Sequence, residues 1–174
     1  MVLPYAGRET HAAKEQRYGT ACFGWMLAGK RGDMREMQKT PRGIRNCNPF
    51  NVKVSKQGWR GKVPVEQNTD GTFEQFETMT MGIRCGIIIL RTYIIKYQLH
   101  TIEEIIKRFA PTMENNTEAY IRAVCRDSGF DRDTTIFFDL DDMTPIALAI
   151  IKHENGGLWG ITAQDIEKGW RLLS

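Results

Sequence analysis

The second half of the chain repeats apolar residues at the spacing of helical faces. From residue 83 to residue 95, isoleucine and leucine recur every three or four positions, with further apolar residues between them. Because apolar residues cover much of its circumference, we expect this helix, residues 80–97, to lie in the centre of the domain. The same spacing predicts helices at residues 102–109, 117–127, 145–153 and 163–172.

Capping residues set the predicted ends of these helices. Thr101 and Glu104 have the spacing of a capping box, in which each side chain bonds the backbone of the other residue. Asn116 and Thr162 are suitable N-caps for the helices that follow them. For the 145–153 helix we predict Thr144 as N-cap and Pro145 as the first helical residue.

Residues 52–76 have a different pattern, typical of short β-strands. Three pieces, at 52–54, 62–65 and 72–76, alternate apolar and polar residues, and Gly58 and Gly71 lie in turn signals between them. The sequence therefore predicts an α+β fold, mainly helical, with a small antiparallel β region. We place this domain at residues 41–174 and a basic, loosely ordered arm at residues 1–40.

Charge separates the arm from the domain. Residues 1–45 hold nine Lys and Arg against four Asp and Glu, whereas the rest holds fifteen against seventeen. A basic segment can bind nucleic acid or an anionic cell-wall polymer, but solvation of a terminal arm is the commoner role, so a nucleic-acid partner is not favoured. The sequence shows no apolar run long enough to span a membrane and no signal peptide.

The cysteines and histidines do not indicate a metal site. Four cysteines are separated by long, unequal intervals, and the three histidines are scattered. Zinc sites and disulfide frameworks usually show paired, short spacings. We therefore expect buried free thiols, no metal and no cofactor.

Glu154 is the strongest candidate for catalysis. It ends an apolar run, and Gly156 and Gly157 follow it, residues that can adopt the left-handed geometry that stops a helix. A carboxylate there faces the negative end of the helix dipole, and if the apolar run carries it inward it is also removed from water; both effects favour its protonated form. This is how a general acid is built, although a lone glutamate in a polar helix end is more often only solvated.

Several motifs carry a first resemblance to known proteins. They are the runs Arg42-Gly43-Ile44-Arg45-Asn46-Cys47-Asn48-Pro49-Phe50-Asn51-Val52, Trp59-Arg60-Gly61, Phe73-Glu74-Gln75-Phe76, Phe109-Ala110-Pro111 and Glu114-Asn115-Asn116-Thr117-Glu118-Ala119-Tyr120-Ile121. Together they resemble a family of phage-encoded and bacterial proteins with a Gly-Ile-Arg-Asn-x-Asn-Pro-x-Asn motif, described as virion structural proteins. The resemblance spans residues 41–157 and implies a bacteriophage protein.

A second resemblance concerns the chemistry. Residues 146–157 look like the catalytic helix of soluble lytic transglycosylases and related lysozyme-like enzymes, which ends in Glu-Ser-Gly; here Asn155 replaces the serine. Their Asn-Pro-x-x-Asn-Ile segment is similar to residues 48–52, and their Glu-Thr-x-x-Tyr-Val helix is similar to residues 116–121. Since the Glu helix comes last here, the resemblance implies a circularly permuted lysozyme-like domain.

Five further residues are candidates for binding a glycan. Asn48 and Asn51 suit contacts to sugar hydroxyl and acetamido groups, or turn formation; Tyr120 suits a hydrogen bond to the acid or the sugar, or core packing. Trp59 suits sugar stacking, or covers the sheet. Arg45 suits binding of lactyl or peptide carboxylates, or a local ion pair.

The identity of the acid and of any second carboxylate stays open. Glu114 and Glu36 are rivals to Glu154, but Glu114 precedes a helix, which suits an ionised substrate-binding group or base better than an acid. Hydrolysis usually needs a second carboxylate, and the β region offers candidates. These candidates are Glu66, Asp70, Glu74 and Glu77. If none serves, the resemblance implies a transglycosylase that closes an anhydro ring with one acid.

The sequence thus predicts a peptidoglycan-cleaving enzyme, a lytic transglycosylase or muramidase. It would act in a phage particle, a lysis system or as a secreted effector, with virion or secretion-system proteins as possible partners and the periplasm or cell wall as its site of action. The alternative is a non-catalytic virion protein that binds glycan or coat partners.

Overall fold

The structure, a computed structural model, describes residues 40–111 and 116–173. The predicted basic arm, residues 1–40, lies outside this range apart from Thr40, and so does Glu114. The prediction of a separate arm and domain therefore stays a prediction.

The described ranges are mainly helical, as the sequence predicts. The α-helices are α1 (Arg42–Arg45), α2 (Met79–Arg91), α3 (Ile102–Phe109), α4 (Thr117–Ser128), α5 (Leu140–Asn155) and α6 (Ala163–Arg171). A π-helical turn, Thr92–Lys96, continues α2, and a 3-10 turn spans Val65–Gln67.

Most predicted helix ends are confirmed. The Thr101 hydroxyl accepts a hydrogen bond from the Glu104 amide, and the Glu104 carboxylate accepts one from the Thr101 amide. The Asn116 side chain caps α4, and the helix ends at Gly129 with φ of +80°. Local capping chemistry therefore fixes these boundaries.

The predicted start of α5 at Thr144 and Pro145 is wrong. The helix begins at Leu140, because the Asp139 carboxylate accepts a hydrogen bond from the Asp142 amide at 2.9 Å. Thr144 instead donates its hydroxyl to the Leu140 carbonyl at 2.7 Å. Pro145 lies inside the helix, where it removes one backbone donor, yet Met143 on the preceding turn is fully buried. Capping by Asp139 and apolar burial outweigh that loss.

The segments predicted as strands pair only at single points. Lys53 bridges Phe73 and Lys62 bridges Phe76, both in antiparallel fashion, and neither bridge extends into a ladder within the described residues. Backbone hydrogen bonds from Val54 to Thr72 and from Val63 to Gln75 flank the bridges. The antiparallel direction of pairing is thus as predicted. Residues 52–76 form a set of linked loops, however, because the single bridges do not continue into the hydrogen-bonded ladder of a sheet.

Helix α2 lies in the core, as its apolar circumference predicts. It packs against α5 and α6, while α4 packs against α3 and α5. Two glycines of α2 face the loop that follows α1: a Cβ on Gly82 would collide with the Cys47 carbonyl, and one on Gly86 would collide with the Phe50 ring. The glycines therefore let this loop pack directly on the helix backbone.

No helix within the described ranges is both long enough and apolar enough to cross a bilayer.

We predict that Gly82→Ala lowers the stability of the fold. In a helix interior alanine normally stabilises by about 1 kcal/mol over glycine. Here the added methyl group meets a backbone carbonyl that belongs to a packed loop, so we expect a net loss of about 1–3 kcal/mol in chemical denaturation. Gly58→Ala is the matched control, because nothing lies within 4 Å of its Cβ position. A Gly82→Ala protein as stable as the control would contradict the close approach.

Candidate active site

Glu154 lies in the last turn of α5, as the sequence predicts. The helix runs to Asn155, and Gly156 ends it in the left-handed conformation with φ of +66°. The Glu154 side chain is half-buried, so one part faces protein and the other faces solvent. A carboxylate in this position is accessible to a ligand and is still held by its neighbours.

Two donors hold the Glu154 carboxylate. The Tyr120 hydroxyl donates to Oε1 at 2.8 Å, and the Asn51 side-chain amide donates to Oε2 at 2.9 Å. Asn51 also donates to the Glu154 backbone carbonyl at 3.2 Å. Three residues that are far apart in the sequence therefore meet at one carboxylate.

Asn51 reaches Glu154 from an unusual backbone conformation. Its φ is +49°, in the left-handed region that asparagine tolerates better than most residues. The preceding loop is fixed by Asn155, whose buried side-chain amide donates to the carbonyls of Pro49 and Ile151, each at 2.8 Å. The loop after α1 is thus fastened to the end of α5 at two adjacent residues.

Tyr120 is a rigid donor. It is 1% exposed and lies on the first turn of α4, with the Phe109 ring packed edge-on at 6.3 Å between centroids. Burial, followed by the charge and hydrogen bond of Glu154, raises the pKa of the Tyr120 hydroxyl well above its usual range. The phenol therefore keeps its proton at any physiological pH.

The two donors fix the orientation of the Glu154 side chain, since each hydrogen bond ends on a different carboxylate oxygen. A phenol hydroxyl both donates and accepts, so it can turn its proton away and accept a bond from a protonated Glu154. The site can thus hold either protonation state without losing the contact between Tyr120 and Glu154.

His153 is part of this cluster and was missed by sequence reasoning. Its ring stacks on Tyr120, with centroids 3.7 Å apart and an interplanar angle of 19°. Partial burial lowers the pKa of its imidazole, and the charge of Arg126 acts in the same direction. The charges of Glu154 and Asp127 oppose this shift. The only sequence signal was its place next to Glu154.

Other predicted binding residues lie in different surroundings. Asn48 is fully buried; its side chain donates to the carbonyls of Val52 and Glu74 and accepts from the Val52 amide. This is the turn-forming role that the sequence left open. Trp59 packs against the small buried cluster of Cys47, Phe76 and Cys85. This contact fits the structural alternative, in which Trp59 covers the linked loops.

Arg45 is the remaining described candidate. It is exposed at the end of α1 and is available to solvent. Its neighbour Arg42 is engaged: its side chain lies 3.4 Å from the Asp70 carboxylate and over the Phe73 ring.

The candidate second carboxylates differ in availability. Glu74 is fully buried and binds Lys62 at 2.8 Å, while Asp70 is held by Asn46 and Arg42. Both are therefore committed to the structure of the linked loops. Glu66 and Glu77 are exposed.

The described residues contain no cluster of three or more His, Cys, Asp or Glu that could hold a metal ion. Cys85 is a buried free thiol, as expected, whereas Cys125 is a free thiol that is only partly buried. Cys47 is disulfide-bonded, so the expectation of a free thiol is wrong there.

We predict that acidification below pH 6.5 destabilises the fold in part through His153. The folded state lowers the pKa of His153 from its ordinary 6.5, so it favours the neutral ring. The stability that the fold gains from a neutral His153 is therefore present above pH 6.5, and it is lost as the pH falls from 6.5 through the folded-state pKa. Denaturation of His153→Gln between pH 7 and 5 should show a smaller loss of stability than wild type. His100→Gln is the control, and an equal flattening by both variants would contradict the assignment.

Comparison with known proteins agrees with the phage resemblance. No known family model matches the chain. It is, however, 41% identical over 139 residues to Protein P5 of Pseudoalteromonas phage PM2, which covers 78% of this chain and 83% of that protein. Identity at this level over most of both chains establishes common descent, and the chain therefore belongs to the family of bacteriophage proteins that includes Protein P5 of phage PM2.

Proposed function

We propose that this phage protein cleaves the glycan strands of peptidoglycan with Glu154 as general acid. The bond broken would be the one between N-acetylmuramic acid and N-acetylglucosamine, and the enzyme would be a lytic transglycosylase or a muramidase. The observation that carries the proposal is the meeting of Glu154, Tyr120 and Asn51. Each belongs to a separate motif that resembles lysozyme-like enzymes, and the three motifs converge on one carboxylate.

The order of these motifs supports a permuted lysozyme-like domain as part of the proposal. Asn51 precedes Tyr120 and Glu154 comes last, whereas the resembled enzymes have the glutamate first. The contact between Asn51 and Glu154 joins positions 103 residues apart. The proposal therefore keeps the contact at the acid and changes only the order of the segments.

The proposed first step transfers the Glu154 proton to the glycosidic oxygen. The bond from that oxygen to C1 of the muramic acid breaks, and positive charge develops on the sugar ring. Tyr120 and Asn51 hold the two carboxylate oxygens throughout, so they act as positioning residues. As the proton leaves, their hydrogen bonds stabilise the carboxylate that forms.

In the second step the Glu154 carboxylate acts as base. In a transglycosylase it takes the proton of the sugar's own 6-hydroxyl, whose oxygen bonds to C1 and closes an anhydro ring. In a muramidase a water molecule takes this place, usually with a second carboxylate. The ion pair of Glu74 and the contacts of Asp70 argue against these two as the second carboxylate, so the hydrolytic route would need Glu66 or Glu77, which are exposed.

The phage family supports a proposal for the place of action. We propose that the protein is a virion component that reaches the peptidoglycan of the host periplasm or cell wall, with other virion proteins as partners.

A non-catalytic virion protein that binds glycan or coat partners is the second candidate. The phage relative favours it, since family membership requires no catalysis. Two open depressions, one beside Phe138 and Trp170 and the other beside Thr144 and Pro145, are lined by residues other than Glu154.

We predict that Glu154→Gln abolishes cleavage of purified peptidoglycan. Loss of a general acid should lower the rate by about 10²–10⁴-fold. The glutamine can accept from Asn51 and donate to Tyr120, so the free energy of unfolding should change by less than about 1 kcal/mol. Mass spectrometry of the soluble products separates the routes: anhydro-muropeptides mean a transglycosylase, and reducing ends mean a hydrolase.

Glu167→Gln is the matched control for that experiment. Glu167 pairs with Arg171 on the surface of α6, where loss of one ion pair has little effect. Cleavage by the control but not by Glu154→Gln is the expected result. If wild type yields no soluble products, the non-catalytic reading replaces the enzyme; if Glu154→Gln retains full activity, another residue is the acid.

We predict that Tyr120→Phe lowers kcat and leaves KM nearly unchanged. The variant loses one hydrogen bond to a charged group, worth about 1.5–3 kcal/mol, which corresponds to roughly 10-fold to 150-fold in rate. Because Tyr120 contacts the acid, a direct effect on sugar binding is not expected. An increase in KM at constant kcat would instead assign Tyr120 to the substrate.

A further inference from the structure

Trp159 occupies a backbone position that rarely accepts a tryptophan. The Ile161 amide donates to the Leu158 carbonyl at 2.9 Å, so residues 158–161 form a β-turn. Its central residues, Trp159 and Gly160, have φ of +51° and +83°. These φ values are those of a type I′ turn, whose first central position favours asparagine, aspartate or glycine.

Core packing does not explain this choice of residue. Trp159 is 51% exposed, one of few large apolar side chains on the surface of the described residues. A bulky side chain with positive φ is strained, and such strain persists mainly at ligand sites and other functional positions. Asparagine at this position would satisfy the turn with less strain and without an exposed ring.

The indole is held by the backbone of the residue that follows the candidate acid. Its Nε1 donates to the Asn155 carbonyl at 3.0 Å, and Asn155 directly follows Glu154. The backbone of Gly157 lies beside the pyrrole edge of the ring: a Cβ there would be 3.5 Å from Nε1. The ring is therefore fixed by its polar edge.

We infer that Trp159 is a stacking platform for a sugar ring of the glycan strand beside Glu154. Since the indole N–H is already bonded within the protein, the exposed part of the side chain offers apolar ring surface without a free donor. The C–H face of a pyranose matches such a surface, because aromatic faces accept weakly polar C–H groups. This inference rests on the proposed peptidoglycan substrate and adds a binding residue to it.

The competing explanation is a structural one. The Asn155 carbonyl is among the last carbonyls of α5, which lack a partner in the helix, so the indole N–H also serves as a cap. Two substitutions separate the roles. Trp159→Phe keeps an aromatic face and removes the N–H, whereas Trp159→Asn suits the turn and removes the face.

Binding is measured with the catalytic step blocked. Glu154→Gln protein, alone and combined with each Trp159 substitution, is co-sedimented with purified, insoluble peptidoglycan. We expect Trp159→Asn to weaken binding about 10-fold, equivalent to about 1.4 kcal/mol, and Trp159→Phe to retain most of it. Phe137→Asn in the same background is the matched control. Phe137 is 61% exposed and precedes α5, whose 16 residues place it about 24 Å from the Glu154 end.

Each outcome decides the inference separately from the proposed cleavage. Equal binding by the Phe and Asn variants, whether reduced or unchanged, overturns the platform and leaves the indole as a cap. A Glu154→Gln protein that does not bind peptidoglycan also overturns it. If wild type releases no soluble products but binding depends on the Trp159 ring, cleavage is wrong and the glycan platform stands.

Discussion

The geometry of the site depends on the buried side-chain amide of Asn155, which joins the end of α5 to the loop after α1. Its two N–H groups bond the carbonyls of Pro49 and Ile151, and leaving the Pro49 carbonyl unpaired in the interior would cost about 1–3 kcal/mol. Serine, which stands here in the resembled enzymes, has one donor on a shorter side chain. Asn155 therefore has a structural role that its amide makes possible, because it bonds a carbonyl on each of the two segments. Glu154 and Asn51 are brought together as its neighbours.

This joint requires close approach, and the glycine of the Gly-Ile-Arg-Asn motif provides it. A Cβ on Gly43 would lie 2.7 Å from Asn51 Oδ1 and would also collide with Asn155 Oδ1. Both oxygens are buried and lack a hydrogen-bond partner among the described residues. An under-satisfied acceptor is more tolerable than a bare donor, because an oxygen has two lone pairs. Gly43 is thus needed for space, and a larger residue would separate Asn51 and Asn155.

Local signals in the sequence were enough to predict most helices. They could not predict which residues meet at the candidate site. The cap at Asn116 and the stop at Gly156 act over a few residues, so the sequence determines them directly. Asn51 and Glu154 meet across 103 residues, and no periodicity encodes such a contact; the resembled motifs indicated both residues without locating them relative to each other. Trp159 escaped notice because its left-handed backbone is invisible in the sequence.

The donors around Glu154 constrain how it can serve as an acid. Free of substrate, the half-exposed carboxylate accepts a hydrogen bond from Tyr120 on one oxygen and from Asn51 on the other. Each carboxylate oxygen has a second lone pair, so these two contacts leave a site for a proton that points at the glycosidic oxygen. In the proposed reaction the same two contacts hold the carboxylate once the proton has moved to the leaving sugar.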